Sequence, residues 1–265
     1  MSRSSSQPLD FGIDAPGVRR MFLGIGFGAL VLSAALAIVY PSGPASLMLA
    51  ARLALAVVAC YGLGMAAYMT YGSRIGKVRA RDRLLHKIPW TGAERVLDVG
   101  CGRGLMAIGA AQQVLNGEVI GIDLWSVTDQ SDNTPDAARQ NAKRAGVAAR
   151  VRFDTGDMRA LPYDADSFDV VLSHWVVHNL PDERDRAQAL NEMLRVLRPN
   201  GRLVLADISQ HAEYVTLLRA AGISDIRVEN GGFESAVIGF FSGNTFRPQA
   251  IIARKPHGEH PVAVD

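Results

Sequence analysis

Cysteine is nearly absent from this chain: its 265 residues include two, Cys60 and Cys101. No disulfide framework and no multi-cysteine metal site can be built from such a pair. Lysine is scarce as well, 4 against 24 arginines, a bias that fits a GC-rich bacterial genome and carries no mechanism. In two places charge itself is missing. Met21–Tyr40 and Leu53–Tyr71 contain no Asp, Glu, Lys or Arg.

About 20 apolar residues span a hydrocarbon core of roughly 30 Å. The two runs therefore read as a transmembrane hairpin over 21–71, closed by the turn Pro41-Ser42-Gly43-Pro44. A cleaved signal peptide is the first alternative, but its apolar stretch is normally shorter. Buried helices of a soluble domain are the second, although such charge-free runs are unusual there. Arg52, near the start of the second run, has a side chain long enough to reach the interface. Gly24 and Gly28 form a G-x-x-x-G pair that could pack helix on helix.

Basic residues set the orientation of spans. Arg3, Arg19 and Arg20 precede the first run, and Arg74, Lys77, Arg79, Arg81, Arg83 and Lys87 follow the second. The connecting turn has none, so both flanks are expected in the cytoplasm of a bacterium, at its inner membrane. Loss of the first span would leave the following domain on the same side. Residues 1–87 carry a net charge of +7 and residues 88–265 a net −5. The basic stem over 72–90 is either a topology determinant or a contact for anionic headgroups. The acidic remainder argues against nucleic acid, whose phosphates require Lys and Arg. The sequence thus divides into a tail (1–20), the hairpin (21–71), a basic juxtamembrane linker or helix (72–90), an α/β domain (91–256) and a second tail (257–265). Both ends of the chain, Met1–Asp14 and His257–Asp265, read as flexible.

The chemistry begins at Val96-Leu97-Asp98-Val99-Gly100-Cys101-Gly102-Arg103-Gly104. An apolar strand ends in an acid, and glycines follow at alternate positions before a helical pattern from Leu105. Glycine lets the backbone turn sharply and lets a ligand lie against it. A dinucleotide fingerprint requires G-x-G-x-x-G, but here the third glycine comes one residue early. The acid is also unsuited to a pyrophosphate and suits a cationic or amine-bearing ligand. A second strand, Val119-Ile120-Gly121-Ile122-Asp123, ends in another carboxylate, placed to accept from ribose hydroxyls.

Further segments fall in order: Val151–Thr155 with Gly156-Asp157-Met158, then Ser167–Ser173, then Ala189–Asp207 containing Arg195-Val196-Leu197-Arg198-Pro199-Asn200-Gly201. Together with the glycine turn, this set resembles the class I S-adenosylmethionine-dependent methyltransferases over roughly Arg74–Lys255, and within them the ubiquinone/menaquinone-type and related small-molecule enzymes. Where Asn200 stands the family usually has glycine, and Asn tolerates the same left-handed backbone. The resemblance implies a Rossmann-like seven-stranded sheet whose last strand is antiparallel. Helical spacing places Leu190, Met193, Leu194 and Leu197 against it, and likewise Leu105, Ile108 and Leu115. Strands are expected at Gly201–Asp207, Asp225–Glu229 and Ala250–Ala253.

The same resemblance implies S-adenosylmethionine as cofactor, with no metal. Asp98 takes the methionyl amine, directly or through water, and the backbone around Gly100, Cys101, Gly102 and Gly104 meets that moiety. Asp123 holds the ribose, Leu124 or Trp125 packs on the adenine, and Asp157 with Met158 closes its other edge. Ser173 marks the strand end near the transferred methyl. His174 and His178 beyond it are candidate general bases, or supports for the loop.

The acceptor is narrowed by what is missing. There is no Asn/Asp-Pro-Pro-aromatic motif for planar amines after the fourth strand, and no Pro-Cys pair for attack on a pyrimidine. Too few cysteines remain for the arsenite methyltransferase pattern. Asp129–Asn133 is a long polar loop, a lid or a solvated turn. Phe233, Phe240, Phe241 and Phe246 in 231–246 would form an apolar wall toward the membrane or an ordinary hairpin. The expectation is a membrane-anchored methyltransferase acting on a hydrophobic small molecule or lipid-like acceptor. A membrane adaptor that binds the cofactor without turnover is the alternative, and the oligomeric state is not legible.

Overall fold

The computed structural model of the chain describes residues 8–40, 45–126, 130–231, 239 and 247–257. It divides into two units. One comprises residues up to Phe11, Val78–Ser126 and the chain from Asn133 onward, and the other comprises Gly12–Lys77 with Val127–Asp132.

The larger unit is a seven-stranded sheet. Its strands are β1 (Arg95–Val99), β2 (Glu118–Asp123), β3 (Val151–Thr155), β4 (Phe168–His174), β5 (Leu197–Asp207), β6 (Asp225–Asn230) and β7 (Gln249–Arg254). The order is β3-β2-β1-β4-β5-β7-β6, and β7 runs antiparallel to both neighbours. Parallel strands covered on both faces read as unbroken apolar runs, which is why β1, β2 and β4 were visible in the sequence. Side chains alternate between two cores. Val96 and Leu172 join Leu105, Ile108, Ala138 and Ala142 on the face covered by α4 (Leu105–Ala111) and α5 (Pro135–Arg144). Leu97, Val99 and Val171 join Leu190, Met193 and Leu218 on the face covered by α6 (Glu183–Val196) and α7 (His211–Ala220).

Local signals fix the helix ends. Thr134 caps α5 by accepting from the Ala137 N–H, with Pro135 in the first turn, and Asp182 caps α6 by accepting from Asp185. Asn200 adopts φ 64°, the left-handed turn expected of it. Leu115 departs from expectation: α4 ends at Ala111, so this residue lies beyond the helix and is 65% exposed. The reading of the whole first tail as flexible is also corrected, because Phe11 is buried in the core of the larger unit. The phenylalanines at 233, 240, 241 and 246 lie outside the described residues.

The smaller unit holds α1 (Pro16–Val39) and α2 (Ala45–Tyr71). Both start earlier than the charge-free runs do, because Arg19, Arg20 and Arg52 are good helix formers. A π turn at Gly72–Gly76 joins α2 to α3 (Lys77–Leu85), so Ser46–Leu85 is one 40-residue helical stretch and the basic segment after the second run is helical as far as Leu85. By length and composition α1 and this stretch can cross a membrane. Their large side chains face outward, Val31 at 68%, Ile38 at 78% and Val57 at 69% exposure, while Gly26, Ala29, Ala59 and Ala66 are buried. The two helices thus pack through a seam of small residues and leave an apolar exterior.

The seam is not built on Gly24 and Gly28, where an added Cβ would meet nothing within 4 Å. It is built on Gly26 and Gly62: a Cβ on Gly62 would lie 2.8 Å from the Phe22 carbonyl and the Gly26 nitrogen. Phe22 and Tyr61 flank it edge to face, with centroids 5.8 Å apart. At the end of the hairpin the Lys77 ammonium is buried and donates to the Gly12 carbonyl at 3.0 Å and to Asp14 at 2.9 Å. Residues of the loop after β2 complete this corner, with Ile13 donating to the Ser131 hydroxyl and Asp14 bridging to Gln130. Overpacking a close contact costs about 1–3 kcal/mol. Gly62→Val should therefore lower the melting temperature of the detergent-purified chain by several degrees, whereas Gly24→Val should leave it unchanged.

Candidate functional site

Strand order reverses between β2-β1 and β4-β5, so the carboxyl ends of β1 and β4 open the crevice where α/β sheets bind ligands. The glycine turn fills this position. Gly100, Gly102 and Gly104 take φ of 71°, 50° and 86°, values that favour glycine. At Gly100 a side chain is also excluded by contact, since a Cβ would lie 2.5 Å from Val176.

The amides of this turn are already engaged. Gly100 and Cys101 donate to the Ile122 carbonyl at 2.8 and 3.1 Å, and Gly102 donates to Asp123 Oδ2 at 2.8 Å. A phosphate-binding loop needs such N–H groups free for the anion. Here β2 takes them. The charge nearby is negative, from Asp98 and Asp123, so the turn is built for a cation.

Asp98 is 1% exposed. Its Oδ2 accepts the Ala107 N–H at 2.8 Å, and its Oδ1 is buried with no hydrogen-bond partner among the described residues. Burial pushes its pKa up to about 7; the Ala107 amide opposes this and the Asp123 charge adds to it. Cys101, packed at the same turn, has its thiol pushed well up, first by burial and then by Asp98 and Asp123. It is therefore an inert filler and no nucleophile. Its sulfur sits where Gly121 leaves room, 2.8 Å from the position of an added Cβ.

Asp123 Oδ1 accepts from the Trp125 amide at 2.6 Å and from the Asn133 side chain at 3.3 Å. A carboxylate has about four lone-pair positions, and three are used by Gly102, Trp125 and Asn133. Gripping both hydroxyls of a ribose therefore requires one of these donors to yield. Trp125 holds a left-handed φ of 62° and donates its indole N–H to Thr155 at 2.8 Å, while Leu124 is 59% exposed. The Asp157 carboxylate is chelated by Arg159 at 2.7–3.1 Å, which lowers its pKa, and Arg159 also reaches Asp185 at 2.6 Å. Arg159 was missed in the sequence. Met158 beside it is partly exposed.

Asp98 and Ser173 do not share a face. Asp98 pairs in register with Leu172, and Val99 with Ser173, so Ser173 points to the α6–α7 side, fully buried and with no partner for its hydroxyl among the described residues. His174 stacks on Trp175, with centroids 5.1 Å apart and planes 14° apart, and Trp175 holds a φ of 56°. His178 stands in the turn after β4, and its Nδ1 makes a short contact with Asp207. Asp207, at the end of β5, is fully buried. It also accepts from the His178 and Ile208 amides at 3.1 and 2.8 Å and from the Tyr214 hydroxyl at 3.0 Å. Burial followed by the Asp207 charge pushes the Tyr214 pKa up, so its hydroxyl stays a donor. With Nδ1 committed to the carboxylate, Nε2 of His178 is the nitrogen left to take a proton. Asp207 was legible only as a third acid at a strand's carboxyl end, 29 residues from its partner.

The profile of the family described as "Methyltransferase domain" matches residues 91–227, half of the chain. The chain belongs to this family. The curated relatives include the methyltransferase GfsG of Streptomyces halstedii, 37% identical over 49% of this chain and 43% of that protein. They also include the 27-O-demethylrifamycin SV methyltransferase of Amycolatopsis mediterranei, 38% identical over 49% of this chain and 44% of that protein. The chain thus spans less than half the length of either. A solved geranyl diphosphate methyltransferase in complex with S-adenosylmethionine shares the fold, with a TM-score of 0.56 and 18% identity over 72% of this chain and 89% of that one.

S-adenosylmethionine fits the residues present. Asp98 and Asp123 supply two carboxylates for a cation, and the glycines supply a surface without side chains. Among the described residues no group of three His, Cys, Asp or Glu could hold a metal ion. Because the ionised form of Asp98 is the one a cation stabilises, affinity should rise as pH climbs through its raised pKa. Titration calorimetry with S-adenosylmethionine should show roughly eightfold tighter binding at pH 7.5 than at pH 6, and Asp98→Asn should abolish that dependence.

Proposed function

We propose that this chain is a membrane-anchored S-adenosylmethionine-dependent methyltransferase acting on a hydrophobic small molecule or lipid-like acceptor, through a hydroxyl. One observation carries the methyl-donor reading: the glycine-turn amides are satisfied by β2 while two carboxylates stand beside them, an arrangement hostile to phosphate and suited to a sulfonium. The hydroxyl is supported by the His178–Asp207 pair and by a relative whose name specifies an O-methyl position.

S-adenosylmethionine supplies a methyl made electrophilic by its sulfonium. Asp98 would hold the donor's amine, Asp123 its ribose, and Leu124, Trp125, Asp157 and Met158 its adenine. His178 Nε2 would take the proton of the acceptor hydroxyl as the O–CH3 bond forms and the S–CH3 bond breaks, leaving S-adenosylhomocysteine as product, and Asp207 would fix the imidazole's tautomer and stabilise its cation. Orientation of the two reactants contributes on the order of 7–11 kcal/mol to such a transfer.

Two facts support placing the domain on the cytoplasmic side of a two-span anchor. Basic residues flank both ends of the hairpin, and the chain leaves and re-enters one hydrophobic core: Phe11 before α1 and Leu84, Leu85 and Ile88 after α2 belong to the same cluster. The two ends of the hairpin therefore lie on one side.

Transfer of label from methyl-tritiated S-adenosylmethionine to a bacterial lipid extract tests the reading. His178→Ala should lower kcat by about 10²–10⁴-fold, and Asp207→Asn should do the same with the KM for the donor unchanged. A His178→Ala enzyme with full turnover at saturating donor would remove the base. Donor binding without transfer to any acceptor would leave the adaptor.

A further inference from the structure

The residues just before the hairpin make contacts inside the larger unit that the methyltransferase reading does not use. Asp10 lies 93 positions before Arg103 of the glycine turn, and the Arg103 guanidinium holds it twice: Nε donates to the Asp10 carbonyl at 2.8 Å and Nη2 to the Asp10 carboxylate at 2.8 Å. Asn141 of α5 closes the triangle. It is 1% exposed, its Nδ2 donates to the Asp10 carbonyl at 2.7 Å and to the Arg103 carbonyl at 3.0 Å, and its Oδ1 accepts the Asp10 N–H at 3.1 Å. Next in sequence, Phe11 is 5% exposed within the core that contains Leu105 and Met106 of α4, and the Arg81 guanidinium lies 5.9 Å from its ring centroid.

We infer that Asp10-Phe11 is a strap that sets the cofactor turn from its outer side, with Asp10 a positioning residue for S-adenosylmethionine through Arg103; this rests on the reading of the turn as the donor site. The turn residues Gly102–Gly104 sit between two anchors, the Asp123 carboxylate at Gly102 and the Asp10–Asn141 pair at Arg103. Gly102 and Gly104 hold positive φ, where glycine has many alternatives, so a single anchor leaves the segment free to relax. The Asp10 carboxylate is 64% exposed, and an ion pair at such a position contributes little by itself. The weight lies on Arg103, whose side chain is 9% exposed and whose Nη2 would lose its carboxylate acceptor, because a buried polar group is costly to leave under-satisfied.

The test uses the full chain in detergent, with S-adenosylhomocysteine titrated by calorimetry and hydrogen exchange followed at residues 102–104. Asp10→Ala should weaken the Kd at least tenfold and speed exchange in the turn, while kcat at saturating donor stays unchanged. Asp10→Asn keeps a side-chain oxygen that can accept from Arg103 Nη2 and should weaken the Kd about threefold; it decides alone if the alanine variant does not fold. Affinity and exchange equal to wild type would overturn the strap, as would a lowered melting temperature with unaltered Kd. If wild type binds no S-adenosylhomocysteine, the donor reading fails instead, and faster exchange at 102–104 in the variants still decides for or against the strap.

Discussion

The end of β2 holds this site together. Its Ile122 carbonyl and Asp123 carboxylate take the N–H groups of Gly100, Cys101 and Gly102, which turns a loop of the type that cradles phosphates into one with its donors spent. The consequence is electrostatic. With the amides neutralised and two acids left close by, the local field favours a positive ligand, and burial of Asp98 makes that preference strong because a cation relieves the cost of its ionised form. Gly121 and Cys101 serve the same end sterically: the missing side chain at one lets the thiol of the other fill the space under the turn.

Around this centre the sheet separates two tasks by face and by strand. Asp98 and Asp123, at the ends of neighbouring strands β1 and β2, bracket the glycine turn. Beyond β4 and at the end of β5, His178 and Asp207 form the second pair, the proposed proton-handling one, held by the 3.0 Å hydrogen bond from Tyr214 and by two backbone amides. The topological switch brings these strand ends to one crevice, so a donor and an acceptor can meet there without either pair being displaced.

Much of this was legible in the sequence, and the reasons are particular. β1, β2 and β4 announce themselves because strands buried on both faces cannot hide polar residues. Asp98 and Asp123 stand out because an acid ending such a run is costly without a purpose, and Asn200 because a turn needed φ of 64° there. What escaped depended on distance along the chain. The Asp10–Arg103 contact spans 93 residues and the His178–Asp207 contact 29, and neither leaves a local pattern. Arg159 was hidden beside the acid it chelates, and Gly26 and Gly62 were overlooked because a spaced pair within one helix drew attention away from a pair shared between two.

The account stands or falls on the sign of the ligand's charge at the glycine turn. Calorimetry on the detergent-purified full chain, with S-adenosylmethionine and a nicotinamide dinucleotide titrated separately and then in competition, measures this directly. The account predicts saturable binding of the sulfur nucleoside that the dinucleotide does not displace. Tight binding of the dinucleotide, with no heat from the sulfur nucleoside, would contradict it.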